Sequence, residues 1–157
     1  SQIGLKWPND VFYKGQKCAG ILLEGIDLNP EKSIVLVGMG INLVASRAEH
    51  RMLDFHYGYM GVEDMISDTT KCPSASDLLA RVLEHFGEAY RIWLREGFVA
   101  FMADWQQYDV LQDKKVRALY QGGHIEGIAQ GVSTTGCLKV NIKGKMVEID
   151  AGEVHLV

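Results

Sequence analysis

The order of apolar and polar positions divides the chain into three textures. Up to residue 43 it reads as sheet. Residues 3–7 form a short strand candidate. Pro8-Asn9-Asp10 breaks it, because proline lacks an N–H donor and Asn and Asp favour turns. Val11-Phe12-Tyr13 resumes extended structure, Lys14-Gly15-Gln16 predicts a hairpin turn, and a second strand runs over 17–25. Asp27-Leu28-Asn29-Pro30 has turn chemistry. A third strand over 33–43, SIVLVGMGINL, is apolar almost throughout, which predicts burial on both faces. Residues 44–73 are mixed, with a short helix candidate near 61–66.

The second texture is helical. Residues 75–96 carry Leu79, Val82, Leu83, Phe86, Tyr90, Trp93 and Leu94 at helical spacing, with Ser74 or Ser76 as cap and Asp77 in the first turn. Gly97 ends or bends this helix, and Phe98, Phe101, Met102 and Trp105 continue a second one to about residue 107. These aromatics are expected in a core rather than in a ligand box. After Asp113 the texture changes again. The runs VRALY, IEGIAQGV, CLKVNIK, MVEIDA and VHLV alternate with turns at Gly122-Gly123, Thr135-Gly136 and Lys143-Gly144-Lys145. Short strands at such spacing predict a small barrel, docked on the residues before it because its size limits the core it can bury.

Composition narrows the functional classes. The chain has 157 residues, 47% hydrophobic and 23% charged, enough to bury a core without invoking disorder. A net charge of −4 and a pI near 5.7 disfavour a dedicated nucleic-acid binder, and no reader helix or basic patch is visible. No apolar run reaches about 18 residues and no secretory h-region opens the chain, so a cytoplasmic protein is expected. Cys18, Cys72 and Cys137 are odd in number and far apart, without metal-ligand spacing; they read as thiols in a reducing compartment. The five histidines are scattered and form no visible metal set or triad.

Three clusters carry the candidate chemistry: Lys6-Trp7-Pro8-Asn9-Asp10, Lys17-Cys18-Ala19-Gly20 and Gly38-Met39-Gly40-Ile41-Asn42. Alternation puts Gly38, Gly40 and Asn42 on one strand face. Glycines there weaken the strand and leave the face bare, which admits a ligand or a second backbone. Asn42 and Asn9 offer amides and Asp10 a carboxylate. Lys17 supplies a cation for a phosphate or carboxylate. Lys17 and Gly20 differ in parity, so both meet one ligand only through the backbone of Gly20 or across a bulge. Each element has an ordinary alternative: a turn, a solvated lysine, a weak GxG that is no dinucleotide fingerprint because no helix pattern follows at once.

Taken together, KWPND, KCAGILLE and GMGINL, in that order and spacing, resemble the biotin–protein ligases, and the closing DAGEVHLV resembles the end of that family. The resemblance implies an α+β fold: a mixed β-sheet flanked by helices, of class II synthetase-like type, followed by an SH3-like barrel. It implies that residues 1–112 are the C-terminal part of the catalytic domain and 113–157 the barrel domain. It further implies ATP-dependent biotinylation of a lysine in a biotin carboxyl carrier domain of a carboxylase through biotinyl-5′-AMP, with biotin, ATP and Mg2+ as small molecules. Lys17 then corresponds to the lysine facing the biotin carboxylate and adenylate, and Asp10 to an acidic residue of the same site. Gly20, Leu22, Gly38 and Ile41 correspond to biotin-pocket positions, with Gly40 between them, and Asn9 and Asn42 lie near adenine and phosphates. No metal-ligating residue is assigned.

In the resembling family a glycine- and arginine-rich loop and further elements precede KWPND; this sequence shows none of them, nor the optional N-terminal helix-turn-helix. The expectation is an incomplete catalytic domain, poorly active or inactive by itself, whose sheet exposes edges and apolar faces or self-associates into a homo-oligomer. Two competing readings are a non-catalytic assembly module that keeps the fold and a lipoate-type acyl ligase.

Overall fold

The computed structural model describes residues 2–29, 32–44 and 60–157; of residues 27–29, 32, 33 and 69 it describes only the backbone. Pro30, of the expected turn, and the histidines His50 and His56 lie outside the described residues. Two compact units emerge, one of Ser1–Gly4 with Asn9–Cys72, the other of Leu5–Pro8 with Pro73–Val157.

The first unit is built on a four-stranded sheet in the order β1-β2-β3-β4, with β1 at Ile3–Lys6, β2 at Asp10–Tyr13, β3 at Gln16–Asn29 and β4 at Lys32–Ile41. The β2–β3 and β3–β4 ladders are antiparallel. Lys14 (φ 48°) and Gly15 (φ 79°) both sit at positive φ, the primed-turn geometry whose twist matches that of hairpin strands. The same solution recurs at Gln121-Gly122 and Lys143-Gly144. Of the turn expected at Asp27-Leu28-Asn29-Pro30, the first three residues are strand: β3 runs through to Asn29, which pairs with Lys32, and a register shift between Asp27 and Asn29 absorbs these turn-favouring residues.

Burial on both faces of β4 is also overturned. Val35 is 57% exposed, and Leu36, Ile34, Met39 and Val37 are likewise open to solvent. An apolar strand is covered only if another element packs on it, and no described residue of the first unit buries these.

In the second unit, Ser74 caps α1 (Ala75–Glu96): its Oγ accepts from the Asp77 N–H at 3.2 Å and donates to Asp77 Oδ2 at 2.7 Å. The Gly97 N–H closes the helix on the Trp93 carbonyl at 2.8 Å. The stripe forms as spaced, with Phe86, Tyr90 and Trp93 stacked along it, but Leu79, Leu83, Tyr90, Trp93 and Leu94 are exposed and do not join the core of the second unit. A 3₁₀ turn at Phe98–Phe101 leads into α2 (Met102–Tyr108).

The barrel strands are β5 (Lys115–Tyr120), β6 (Gly123–Val132), β7 (Leu138–Ile142), β8 (Lys145–Ile149) and β9 (Val154–Leu156), ordered β8-β7-β6-β5-β9 with antiparallel ladders. Alternation sends Val116, Ala118, Leu138 and Val140 inward, where with Ala129, Ile149 and Val154 they are essentially sealed from solvent. Full burial of each valine, leucine or isoleucine among them favours folding by about 1.5–3 kcal/mol. Trp7 and Leu111 complete this core, and Trp7 Nε1 donates to the Gly136 carbonyl at 2.9 Å. Two antiparallel sheets with few helices make the fold α+β, as expected.

Candidate functional site

The candidate site lies on the first unit's sheet, and a β-bulge builds it. Asp10 pairs with Gly20 and Val11 with Ala19, but the next partner, Phe12, pairs with Lys17, leaving Cys18 as the extra residue. The bulge resolves the parity conflict in the sequence. Lys17 and Gly20 share a face, because a Cβ built on Gly20 would stand 3.4 Å from Lys17 Nζ. Cross-strand partners also share a face, so Asp10 joins them. Lys17 Nζ and Asp10 Oδ1 form an ion pair whose side chains are 29% and 17% exposed. Cys18 is buried instead, its Sγ 3.4 Å from the Val11 carbonyl, and burial pushes its thiol up against a smaller opposing effect of a backbone hydrogen bond.

The cross-strand pairs Gly20–Gly40 and Leu22–Gly38 extend the same face. Together with Asn9, Asp10 and Lys17 these residues border an open, shallow concavity of about 360 Å³. Ile21 and Met39 complete its lining. Sequence reading missed these two because strict alternation assigns them to the other face; the bare backbone at three glycines is the signal that could have brought their main chain in. Asn9 is exposed, and its carbonyl accepts from the Ile21 N–H at 2.9 Å.

Ile41 and Asn42 stand outside this lining. Ile41 pairs with Ala19, one position beyond the Gly20–Gly40 pair. Asn42 lies past the end of β4 and ties the bulge instead: its N–H donates to the Cys18 carbonyl at 2.9 Å and its Nδ2 to the Lys17 carbonyl at 3.4 Å. Met60 N–H donates to the same Lys17 carbonyl at 3.0 Å. The KWPND cluster divides as well. Trp7 is buried in the second unit's core, whereas Asn9 and Asp10 line the concavity.

A cation held over a glycine-bare floor suits a ligand that brings an anion and a flat or slender apolar part. Among the described residues no group of three or more His, Cys, Asp or Glu comes together as a metal site. Asp10 is the one carboxylate among the described lining residues, and Lys17 occupies it, so these residues make no protein-built Mg2+ cage.

Residues 113–157 match the family model described as Biotin protein ligase C terminal domain, which accords with an SH3-like barrel. Over 158 residues the chain is 29% identical to the Biotin--[acetyl-CoA-carboxylase] ligase of Mycobacterium tuberculosis, covering 99% of this chain and 54% of that protein. With the Bifunctional ligase/repressor BirA of Salmonella typhimurium it shares 24% identity over 155 residues, 99% of this chain and 47% of that protein. The apo structure of Biotin protein ligase from Aquifex aeolicus matches with a TM-score of 0.77 at 25% identity, covering 99% of this chain and 65% of that one. The structure described as Biotin protein ligase from Aquifex aeolicus in complex with biotin and ATP matches at 0.74 and 25%, with 99% and 62% covered.

Along nearly its whole length the chain is similar to biotin protein ligases. It corresponds to a C-terminal portion of these ligases and spans about half the length of the curated relatives it matches. Biotin protein ligase likeness runs through both units, since 99% of the chain aligns, while the C-terminal family model begins at residue 113. No helix among the described residues is long and apolar enough to cross a membrane.

Proposed function

We propose that this chain is the C-terminal part of an ATP-dependent biotin–protein ligase, with residues 1–112 contributing to the catalytic domain and 113–157 forming the SH3-like domain. The observation that carries this reading is the Lys17 ammonium beside the bare floor of Gly20, Gly38 and Gly40. In the reaction, a biotin carboxylate oxygen attacks the α-phosphorus of ATP and pyrophosphate leaves. The amine of a carrier-domain lysine then attacks the acyl carbon of biotinyl-5′-AMP, loses a proton and expels AMP. The first step brings two anions together, and Lys17 offsets their repulsion. None of these residues would hold Mg2+; arriving with ATP, it would offset charge on the phosphates. Leu22 and the glycine floor take the apolar part of biotin, and Asn9 lies toward the nucleotide. The carrier is the biotin carboxyl carrier domain of a carboxylase.

Thermal unfolding with added biotinyl-5′-AMP tests the reading. A ligand at about 100 times its Kd stabilises the folded state by about 2.7 kcal/mol. Stabilisation that vanishes in Lys17→Ala is expected. No response at millimolar adenylate would overturn the reading in favour of an assembly module without the chemistry. Incubation with biotin and MgATP, read by mass spectrometry for biotinyl-5′-AMP, adds the catalytic question; the expected yield from this chain alone is far below that of a full-length ligase.

A further inference from the structure

The three glycines of the concavity look alike in sequence, and the structure separates them. A Cβ on Gly38 would meet only the Leu22 carbonyl oxygen at 3.7 Å and Leu22 Cβ at 3.8 Å, and one on Gly40 the Gly20 carbonyl oxygen at 3.9 Å. Those positions are open floor. At Gly20 the Cβ would stand 3.4 Å from Asp10 Oδ1, 3.4 Å from Lys17 Nζ and 3.5 Å from Lys17 Cε. The space beyond a Cβ there is already filled by the ion pair of Lys17 and Asp10.

We propose that Gly20 and Asp10 are positioning residues for Lys17: Gly20 is the slot in which the lysine tip lies, and Asp10 fixes it there, so that an arriving carboxylate or phosphate meets an ammonium already oriented. The ligand's own floor is then Gly38 and Gly40. This division rests on reading the concavity as an anion site, and it reassigns Gly20 from a ligand contact to a lysine contact.

The physical case has two parts. A lysine is a flexible four-carbon stem, and its freedom opposes any contact that must order it. Confinement before binding removes that cost from the binding step. The Cys18 bulge brings the stem onto the Gly20 face, Gly20 leaves the space empty, and Asp10 holds the tip. Geometry also sets a size threshold. A methyl at position 20 makes ordinary contact at 3.4 Å, whereas the two further carbons of valine need the volume of Lys17 Cε and Nζ.

Competitive acetylation of lysines by N-hydroxysuccinimidyl acetate, resolved by peptide mass spectrometry, tests this on the full chain. An amine held by a carboxylate is the poorer nucleophile. Barrel lysines Lys139 and Lys145 serve as internal references. Relative to them, Lys17 acetylation is expected to rise about two- to fivefold in Asp10→Asn and Gly20→Val, the range for opening a partly exposed ion pair. It is expected to stay unchanged in Gly20→Ala and in Gly38→Val, which adds the same bulk to the open floor. Equal Lys17 reactivity across all variants, or a rise in Gly38→Val matching that in Gly20→Val, would overturn the proposal. Should Gly20→Val fail to fold, Asp10→Asn changes one isosteric group and remains decisive. Biotin added to the wild type separates the two readings. If it leaves Lys17 acetylation unaltered while the variant pattern holds, the biotin assignment fails and the positioning role stands.

Discussion

Strands β4 and β7 both carry apolar residues in antiparallel sheets, β4 as a nearly continuous run and β7 in alternation with Lys139 and Asn141, and these residues end in opposite environments. On β4, Val35 and Leu36 are 57% and 51% exposed; on β7, Leu138 and Val140 are 0% exposed. The barrel takes most of its cover from residues nearby in sequence, with Trp7 added from the chain's far end. Hairpins at Gln121-Gly122 and Lys143-Gly144 return each strand onto the last, β9 closes on β5, and Leu111 and Trp7 fill the interior. The sheet of the first unit finds no such cover among that unit's own described residues. Apolar patterning therefore states that a strand gains by burial, not what buries it. On the concavity side, the openness is where a site can lie.

The largest effect that probes this contrast comes from paired truncations. Leu138→Ala is expected to cost about 2–5 kcal/mol, the range for a sealed leucine replaced by alanine. Leu36→Ala, starting half exposed, is expected to cost within about 0.5 kcal/mol. Hydrogen exchange at β7 and β4 amides, read against urea, measures each locally. A Leu36→Ala cost approaching that of Leu138→Ala would break the comparison, because it would mean that the sheet face is covered in solution.

Glycines sharpen it at a somewhat smaller scale. A Cβ on Gly127 would lie 2.5 Å from the Asn141 carbonyl oxygen and 2.6 Å from Val140 Cγ1, a collision with backbone and a core side chain. Gly127→Ala should destabilise the barrel by about 1–3 kcal/mol through overpacking. Gly40→Ala meets nothing nearer than 3.9 Å and should fall within about 0.5 kcal/mol. Equal costs in the two variants, by the same exchange measurement, would show that the concavity floor is as closely packed as the barrel.

How far the sequence was legible follows the same line. The barrel strands, their glycine turns, the capped stripe of α1 and the clustering of Asn9, Asp10, Lys17, Gly20, Leu22, Gly38 and Gly40 were accessible, because all depend on local chemistry and short-range pairing. The exposure of β4 and of the α1 stripe was not, because cover is a tertiary matter. The continuation of β3 through Asp27-Leu28-Asn29 was hidden because a ladder partner outweighed local turn preference. The Cys18 bulge could be posed as a condition but not decided, since parity allowed either outcome until the register with Phe12 was known. Trp7 was the reverse case, a residue inside a conspicuous motif whose task is to fill the barrel core.

The smallest expected effect sets the barrel's charges against those of the concavity. Lys17 and Asp10 meet on a partly buried floor, whereas the barrel keeps its charges outside. Glu126 Oε1 accepts from Arg117 Nε at 3.0 Å and Nη2 at 2.6 Å, and Lys115 Nζ stands 2.9 Å from Oε2. Lys115 first, and Arg117 after it, hold the Glu126 carboxyl below its unperturbed value of 4.5. A lowered folded-state value means that this contribution is present above 4.5 and is lost as the pH falls through the folded value. Because the group lies at the surface, screening keeps the effect small. In a carboxyl-carbon NMR titration, Lys115→Ala is expected to raise the Glu126 midpoint more than Arg117→Ala, and molar salt to raise it in the wild type. A larger response to Arg117→Ala would show that the two-nitrogen contact outweighs the lysine, and that hydrogen-bond geometry rather than proximity of charge governs the barrel surface.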